Sequence, residues 1–487
     1  MQQEFNSWPN LATMFFEQAA RLGDKAFLWE KKDGTYISLS WRQTADRAVA
    51  IARGLLAQGI KPGDRVVLAS ENRPDWLIAD IAIMSMGAIT VPAYITNTTE
   101  DYRHILNDSG ARAVIVSTTR LAKTLLPAVA DCTDTSLVIS IDDELGSGIS
   151  LSALMVSGEG RTDDIVARAA TWGRDRTACI IYTSGTSGAP KGVMLHHGAI
   201  LHNCTGAEDA LREIGLGGDV FLSFLPLSHS YEHMAGQFFP IAISAEIYYA
   251  EGIETLGTNM IEARPTVMTA VPRLYESLHQ RITRGVKKQG GLKETLFNMA
   301  YDIGAKRYRN PSSLSAVESL MDRVLDKLVR DKVRARFGGR LKALVSGGAP
   351  LNPDIGVFFT ALGLRILQGY GQTESAPVIS VNRATKTKMH TVGPVIRNTE
   401  VHIAEDGEIL CRGELVMQGY WRNEEATRNA IVDGWLHTGD IGGFDEDGQL
   451  MITDRKKDII VNSGGDNIAP QRVEGVLCME PEIGQAM

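Results

Sequence analysis

A chain of 487 residues with 44% hydrophobic and 22% charged residues has the length for two or three structural units and the balance to bury a large core. Its formal net charge of −8 argues against a binder of phosphate backbones, because nucleic-acid domains carry a basic surface. The cysteines Cys132, Cys179, Cys204, Cys411 and Cys478 are scattered, with no pair at metal-ligand or redox spacing, so reduced thiols in a cytoplasmic protein are expected.

Residues 1–10 are polar and lack the basic and apolar regions of a secretory signal. Trp41, Ala45, Ala48, Ala52 and Leu55 recur at helical spacing, and Gly59-Ile60-Lys61-Pro62-Gly63 ends that helix. Val66-Val67-Leu68, Ala113-Val114-Ile115-Val116 and Leu137-Val138-Ile139 read as strands buried on both faces. The alternation of strand and helix predicts α/β layers with substantially parallel sheet. Residues 78–94 are the best membrane-span candidate, but Asp80, Gly87 and Pro92 interrupt them. They fall short of about 20 uninterrupted apolar residues, so no transmembrane segment is expected.

A charge-rich helical stretch is predicted from about residue 272 to 340, broken at Gly290-Gly291 and at Asn310-Pro311-Ser312-Ser313. Residues 341–345 read as a strand again. From 401 to 461 short strands alternate with the turns Asp406-Gly407, Asp433-Gly434 and Asp447-Gly448, which predicts antiparallel hairpins. Asp454-Arg455-Lys456-Lys457-Asp458 follows the strand-like 450–453 and marks a boundary.

The sharpest chemical feature is Tyr182-Thr183-Ser184-Gly185-Thr186-Ser187-Gly188-Ala189-Pro190-Lys191-Gly192, directly after a buried strand over 178–181. Small hydroxyl residues and glycines let consecutive N–H groups turn inward around an anion, and the hydroxyls and Lys191 add donors. A plain Ser/Gly-rich surface turn is the competing reading, and a lysine placed behind a strand speaks against it. The spacing excludes a Walker A loop: Pro190 stands five after Gly185, and Gly192 rather than Ser or Thr follows Lys191.

This string resembles the phosphate-binding signature of the acyl-adenylate-forming (AMP-dependent synthetase/ligase) superfamily of acyl-CoA synthetases, luciferases and peptide-synthetase adenylation domains. Further motifs of that family follow in order: Leu225-Pro226-Leu227-Ser228-His229, Ser346-Gly347-Gly348-Ala349-Pro350, Gly369-Tyr370-Gly371-Gln372-Thr373-Glu374, Gly434-Trp435-Leu436-His437-Thr438-Gly439-Asp440 and Asp454-Arg455-Lys456-Lys457-Asp458. The resemblance covers nearly the whole chain. It implies an N-terminal adenylate-forming domain of layered α/β sheets with a small β-rich subdomain over 1–453. Residues 454–487 would then be the hinge and the opening of an α+β C-terminal lid.

In that family a substrate carboxylate attacks the α-phosphorus of ATP, so the enzyme positions anions and neutralises charge rather than supplying a nucleophile. The resemblance implies that Thr183, Ser184, Gly185, Thr186, Ser187, Gly188 and Lys191 cradle phosphates, and that Thr186 and Glu374 hold Mg²⁺ through oxygen. Glu374 on its own also reads as a carboxylate complementing a helix N-terminus. Gly347, Gly348, Ala349, Pro350, Gly369, Tyr370 and Gly371 suit adenine, although either segment alone reads as a tight turn. Gln368, Gln372, Thr373, Ile452 and Lys457 complete the implied nucleotide contacts. Asp440, assisted by Arg455, would accept the ribose hydroxyls. His229 would lie by the substrate carboxylate, and a lone histidine is more often a positioning hydrogen bonder than a proton carrier. Thr186, Lys191, His229 and Glu374 are thus the catalytic candidates.

Features of the sequence favour a fatty acid. Leu225-Pro226-Leu227-Ser228-His229-Ser230-Tyr231-Glu232 and Val271-Pro272-Arg273-Leu274-Tyr275-Glu276 resemble the long-chain acyl-CoA synthetase forms, and the helical insertion to Arg340 is one that shorter-substrate members generally lack. An ordinary solvated helical pair is the other reading of that insertion. Four residues after His229, where some relatives place an aromatic tunnel gate, this chain departs from the pattern with His233. The expected reaction is activation of a long-chain fatty acid to acyl-AMP with transfer to coenzyme A. Transfer to a carrier-protein thiol and a lid-less, non-catalytic binding module are the alternatives. The family's lid lysine has no counterpart before Met487, so a truncated lid is expected. Peripheral contact with the inner membrane face and a homodimer stay open at this point.

Overall fold

The computed structural model describes residues 7–142, 148–183 and 189–456, with the backbone of two further short strands, Ile460–Val461 and Asn467–Ile468. The short β-branched runs form two eight-stranded sheets. The first runs in the order Ser380–Val381, Ile366–Tyr370, Ala343–Ser346, Val267–Ala270, Val220–Ser223, Glu246–Tyr249, Ala26–Lys32 and Thr35–Ser40. Its inner pairs are parallel and its outermost pairs antiparallel. The second runs Gly419–Tyr420, Lys191–His196, Thr177–Thr183, Ile89–Ala93, Arg65–Ala69, Ala113–Val116, Leu137–Ser140 and Ile149–Ser150, again parallel through its middle. Arg65–Ala69 and Ala113–Val116 are buried almost throughout, as read from the sequence. Leu137–Ser140 differs: Leu137 and Val138 are only half-buried, since one two-residue strand separates them from the sheet edge.

Helices fill the faces. Trp41–Ala57 starts on a capping box, Gln43 N–H donating to Ser40 Oγ and Ser40 N–H to Gln43 Oε1, which satisfies donors that the first turn leaves unpaired. Pro74–Ser85 is buried at every residue. A mostly apolar helix buried on every face belongs inside a large core, which accounts for the membrane-like look of residues 78–94. No helix among the described residues is long and apolar enough to cross a membrane.

The insertion forms Pro272–Gln289, Gly291–Arg309, Ala316–Leu325 and Asp331–Arg336, broken at the predicted Gly290-Gly291. Two contacts fix it to the body. A Cβ on Gly304 would stand 2.4 Å from the Ala361 carbonyl oxygen, so only glycine allows this approach. The fully buried Arg330 donates to the carbonyls of Ala300, Asp322 and Ala361 at 2.8, 3.1 and 2.7 Å.

The predicted hairpins form a small antiparallel sheet of Glu400–Ile403, Glu408–Arg412, Ile431–Val432, Trp435–Phe444 and Leu450–Arg455. The last strand carries on through Asp454 and Arg455. One helix, Glu424–Ala430, interrupts the expected run of strands, and its signal is Asn423, whose side chain caps Ala426 N–H. Cys132, Cys179, Cys204 and Cys411 are buried free thiols, while Cys478 lies outside the described residues.

Candidate active site

The carboxyl ends of parallel strands from both large sheets face one cavity of about 700 Å³, the place where open α/β sheets bind ligands. Thr183 ends one strand and Lys191 begins the next, and the two pair across the hairpin whose tip was read as the phosphate loop. Both line the cavity. Ser184, Gly185, Thr186, Ser187 and Gly188 lie outside the described residues. The returning limb is tied down by His104 Nε2, 2.8 Å from the Pro190 carbonyl oxygen.

Glu374 sits in the short 3₁₀ turn Thr373–Ser375, three residues beyond Gly371. Its Oε1 accepts from the Tyr420 hydroxyl at 2.8 Å, and the Lys191 ammonium lies 4.6 Å from the centre of the same tyrosine ring. Burial, and then the Glu374 carboxylate, push the Tyr420 phenol far above its ordinary pKa, so it stays a donor. The turn is braced from behind by Asn203, which donates to Ser375 O at 3.2 Å and accepts from Val378 N–H at 2.6 Å. Ser230 Oγ meets Thr373 Oγ1 at 3.0 Å.

On the opposite wall Tyr370 donates its hydroxyl to Asp440 Oδ2 at 2.7 Å, while Arg455 Nε stands 3.3 Å from Asp440 Oδ1. Asp440 and Arg455 are register partners on adjacent strands of the small sheet. Burial raises the Asp440 carboxyl above the ordinary range, and the Tyr370 hydrogen bond and Arg455 oppose that rise. The carboxylate is thus held by two partners at the cavity edge. Gly347, Gly348, Gly369, Gly371, Gln372 and Thr373 also line the cavity. Gly371 is sterically required, since a Cβ there would stand 1.8 Å from Pro377 O, and a Cβ on Gly347 would press on the Tyr231 ring at 3.0 Å. Ala349, Pro350, Gln368 and Ile452 do not line it. Ala349 and Pro350 are exposed, and Gln368 donates its amide to the Met389 and Thr391 carbonyls. Ile452 lies on the last strand of the small sheet, paired with Gly442. Lys457 lies outside the described residues.

His229 lines the cavity and heads the helical turn that carries Tyr231, Met234 and Ala235. Its Nδ1 accepts from Tyr231 N–H at 3.1 Å, which puts the ring proton on Nε2. Burial lowers its pKa, so at neutral pH it is a neutral donor. His233 is turned away from the cavity, with Nε2 2.8 Å from Asp80 Oδ2 in the core and its ring edge-on to Trp76 and Phe238.

The sequence had not pointed to the other half of the cavity. Ala207, Ala210, Leu211, Phe221, Met234 and Phe239 line it together with Val267, Val345, Val378 and Val381, an apolar lining that we term the apolar arm. No residue of the helical insertion contributes. Tyr420 was also missed, although it stands in Gly419-Tyr420-Trp421, a glycine-aromatic string that a search for phosphate-side partners could have weighed. Among the described residues no three His, Cys, Asp or Glu side chains cluster to hold a metal. A cation in this cavity would draw on ligand oxygens as well as protein carboxylates, a donor set that suits Mg²⁺.

Fold and cavity together define a ligand-activating α/β enzyme with the architecture of the adenylate-forming class. The chain belongs to the AMP-binding enzyme family, whose model matches residues 15–421. It is 35% identical to the long-chain-fatty-acid–CoA ligase FadD15 of Mycobacterium bovis, over 98% of this chain and 79% of that protein. It is 32% identical to the peroxisomal long chain acyl-CoA synthetase 6 of Arabidopsis thaliana, over 99% of this chain and 72% of that protein. Among solved structures, the anthranilate CoA ligase AuaEII in complex with anthranoyl-AMP shares the fold at a TM-score of 0.78 and 20% identity, covering 99% of this chain and 85% of that one. The N-terminal domain of FACL13 from Mycobacterium tuberculosis does so at 0.71 and 21%, covering 92% and 100%.

Proposed function

We propose that this protein activates a fatty acid, of the long-chain class, to its acyl-adenylate with ATP and passes the acyl group to coenzyme A. The observation that carries the reading is the mixed lining of one cavity: Lys191, Glu374, Asp440 and Arg455 bring charge, and Ala210, Met234, Phe239 and Val381 bring apolar surface. A substrate with an anionic head and an apolar tail fits both halves, and each methylene buried in the arm contributes ~0.8 kcal/mol. The names of the relatives in Mycobacterium and Arabidopsis support the same substrate class.

In this reading a carboxylate oxygen attacks the α-phosphorus, an acyl-phosphate bond forms, and the bond to pyrophosphate breaks. A thiol sulfur then attacks the acyl carbon and AMP leaves. Lys191 and the loop before it bind phosphate oxygens, with Thr183 at the loop's entry. Tyr370 and the neighbouring glycines face the base, Asp440 with Arg455 holds the ribose, and His229 Nε2–H orients the substrate carboxylate. Thr186 and Glu374 are the proposed Mg²⁺ ligands, and a bound Mg²⁺ would neutralise phosphate charge. The chain divides in this reading into the adenylate-forming domain over 1–453 and the opening of a lid over 454–487. Because long-chain acids reside in bilayers, the reading includes peripheral contact with a membrane.

An ATP–pyrophosphate exchange screen over acids from acetate to oleate tests it. Exchange should rise with chain length and disappear in Glu374→Gln, and adding coenzyme A should give the acyl thioester by mass spectrometry. Exchange confined to aromatic or amino acids would overturn the substrate, and full exchange in Glu374→Gln would overturn the metal role.

A further inference from the structure

The helical insertion contributes nothing to the cavity, yet its surface is unlike the rest of the molecule. Across Pro272–Arg340 there are sixteen Lys and Arg against seven Asp and Glu, in a chain whose total is −8. Five of the twelve exposed large apolar side chains among the described residues also fall here. Singly exposed apolar residues are ordinary, but these are not scattered. Val317, Leu320, Val324 and Leu328 follow at steps of three and four along Ala316–Leu325 and the π-helical stretch Asp326–Arg330, and are 73%, 64%, 45% and 47% exposed. That spacing puts them on one face, while Asp322, Leu325 and Arg330 turn to the protein side. Arg323 and Lys327 flank the stripe. They are exposed and have no ion pair among the described residues, as are Lys287, Lys288 and Lys293 around the Gly290-Gly291 turn. Leu292, 74% exposed, stands between those lysines.

We infer that this helical insertion docks on an anionic phospholipid bilayer, with the Val317–Leu328 stripe entering the headgroup boundary and the basic side chains lying on lipid phosphates. An apolar stripe rimmed by Lys and Arg on an otherwise acidic protein has the composition of a helix that lies in a membrane interface. A second copy is a poor occupant, because an isologous contact through this face would set the basic side chains against each other. The inference rests on the fatty-acid reading for its purpose, since it brings the enzyme to where such acids dissolve. Its geometry does not depend on that reading.

Vesicle co-sedimentation of the purified chain tests it. Wild type should bind vesicles containing phosphatidylglycerol, less so as salt rises, and bind pure phosphatidylcholine weakly. Each Lys or Arg near an anionic surface strengthens binding about fivefold, so Arg323→Gln with Lys327→Gln should weaken it about 30-fold. Leu320→Glu with Leu328→Glu should abolish it. Both pairs sit on exposed positions, so melting temperature and pyrophosphate exchange on a water-soluble shorter acid should stay at wild-type values. Failure of wild type to bind anionic vesicles overturns the inference, as does wild-type binding by both double variants. Capture of the chain by an acidic peptide that Leu320→Glu with Leu328→Glu leaves intact, without vesicle binding, assigns the face to a protein and also overturns it. Exchange activity without vesicle binding sinks this inference alone, and vesicle binding without exchange on any fatty acid sinks the functional reading alone.

Discussion

The Tyr420 hydroxyl donates a 2.8 Å hydrogen bond to Glu374 Oε1. The two residues come from separate segments, 46 positions apart, and Tyr420 reaches this place because Gly419–Tyr420 pairs antiparallel with Lys191–His196. The same ring lies beneath the Lys191 ammonium, so one side chain sets the spacing between a cation and an anion on the side proposed for the phosphates. Tyr420→Phe keeps the ring and frees the carboxylate. Hydrogen bonds to charged groups contribute ~1.5–3 kcal/mol, which corresponds to roughly tenfold or more. The expected result is a rise of about that size in the Mg²⁺ concentration for half-maximal pyrophosphate exchange, with the fold intact by circular dichroism. An unchanged Mg²⁺ titration would mean that the tyrosine does not position Glu374.

Asp440 offers a second test on the other wall. It is 6% exposed and takes Tyr370 on one oxygen and Arg455 on the other. Asp440→Ala removes the proposed ribose acceptor and strands both partners, so ATP affinity by calorimetry should fall about 10- to 100-fold. Tyr370→Phe removes one of the two restraints and should cost less. If Asp440→Ala bound ATP as tightly as wild type, the nucleotide would have to lie elsewhere.

Much of this site was legible in the sequence because backbone geometry dictates it. Gly371 stands where a Cβ would collide with Pro377, and one on Gly347 would press on the Tyr231 ring; such constraints leave glycines in short, readable strings. Thr183, Lys191, Tyr370, Glu374, Asp440 and Arg455 all line one cavity. The apolar arm was not legible, since Ala210, Met234, Phe239 and Val381 come from separate segments and look like any core residue until the chain folds. His233 shows the same limit from the polar side. Its partner Asp80 is 153 positions away, and no local pattern marks the pair. In the fold, the Glu424–Ala430 helix was missed because seven residues give too short a period to separate from the turns around it.

The arm makes chain length testable. Ala210 is fully buried on the helix His197–Leu211, where it lines the arm and clusters with Val381 and Ile396. Ala210→Leu would fill space that the proposed tail needs. Displacing about three methylenes removes ~2.4 kcal/mol of tail binding, or roughly 60-fold. The ratio of kcat/KM for palmitate over octanoate should drop by that order, while the KM for ATP stays unchanged. An unaltered ratio would place the tail outside this arm.

Glu232 sets a pH dependence that can be read independently of activity. It is fully buried, its oxygens accept from Ser223 Oγ and Thr269 Oγ1 at 2.6 Å each, and Gly236 leaves it room, since a Cβ there would stand 2.2 Å from Oε1. Burial pushes its carboxyl up to about 8, against the two hydroxyl hydrogen bonds. Between the ordinary carboxyl value of 4.5 and about 8 the folded chain keeps a proton that the unfolded chain has released, so this group's contribution to stability falls as pH rises through that window. His197, lowered by burial to about 3, acts in the opposite sense: the unfolded chain gains its proton below the ordinary 6.5, and stability is lost as pH falls. Both wild type and Glu232→Gln share the histidine, so it cancels in their difference. Glutamine keeps the size and a donor and acceptor for the two hydroxyls but does not titrate. Relative to wild type, Glu232→Gln should therefore gain ~2–4 kcal/mol in urea unfolding between about pH 5 and about pH 8. A difference between the two proteins that is constant across that range would mean that Glu232 is already ionised in the fold, with its two hydroxyl partners enough to hold the charge.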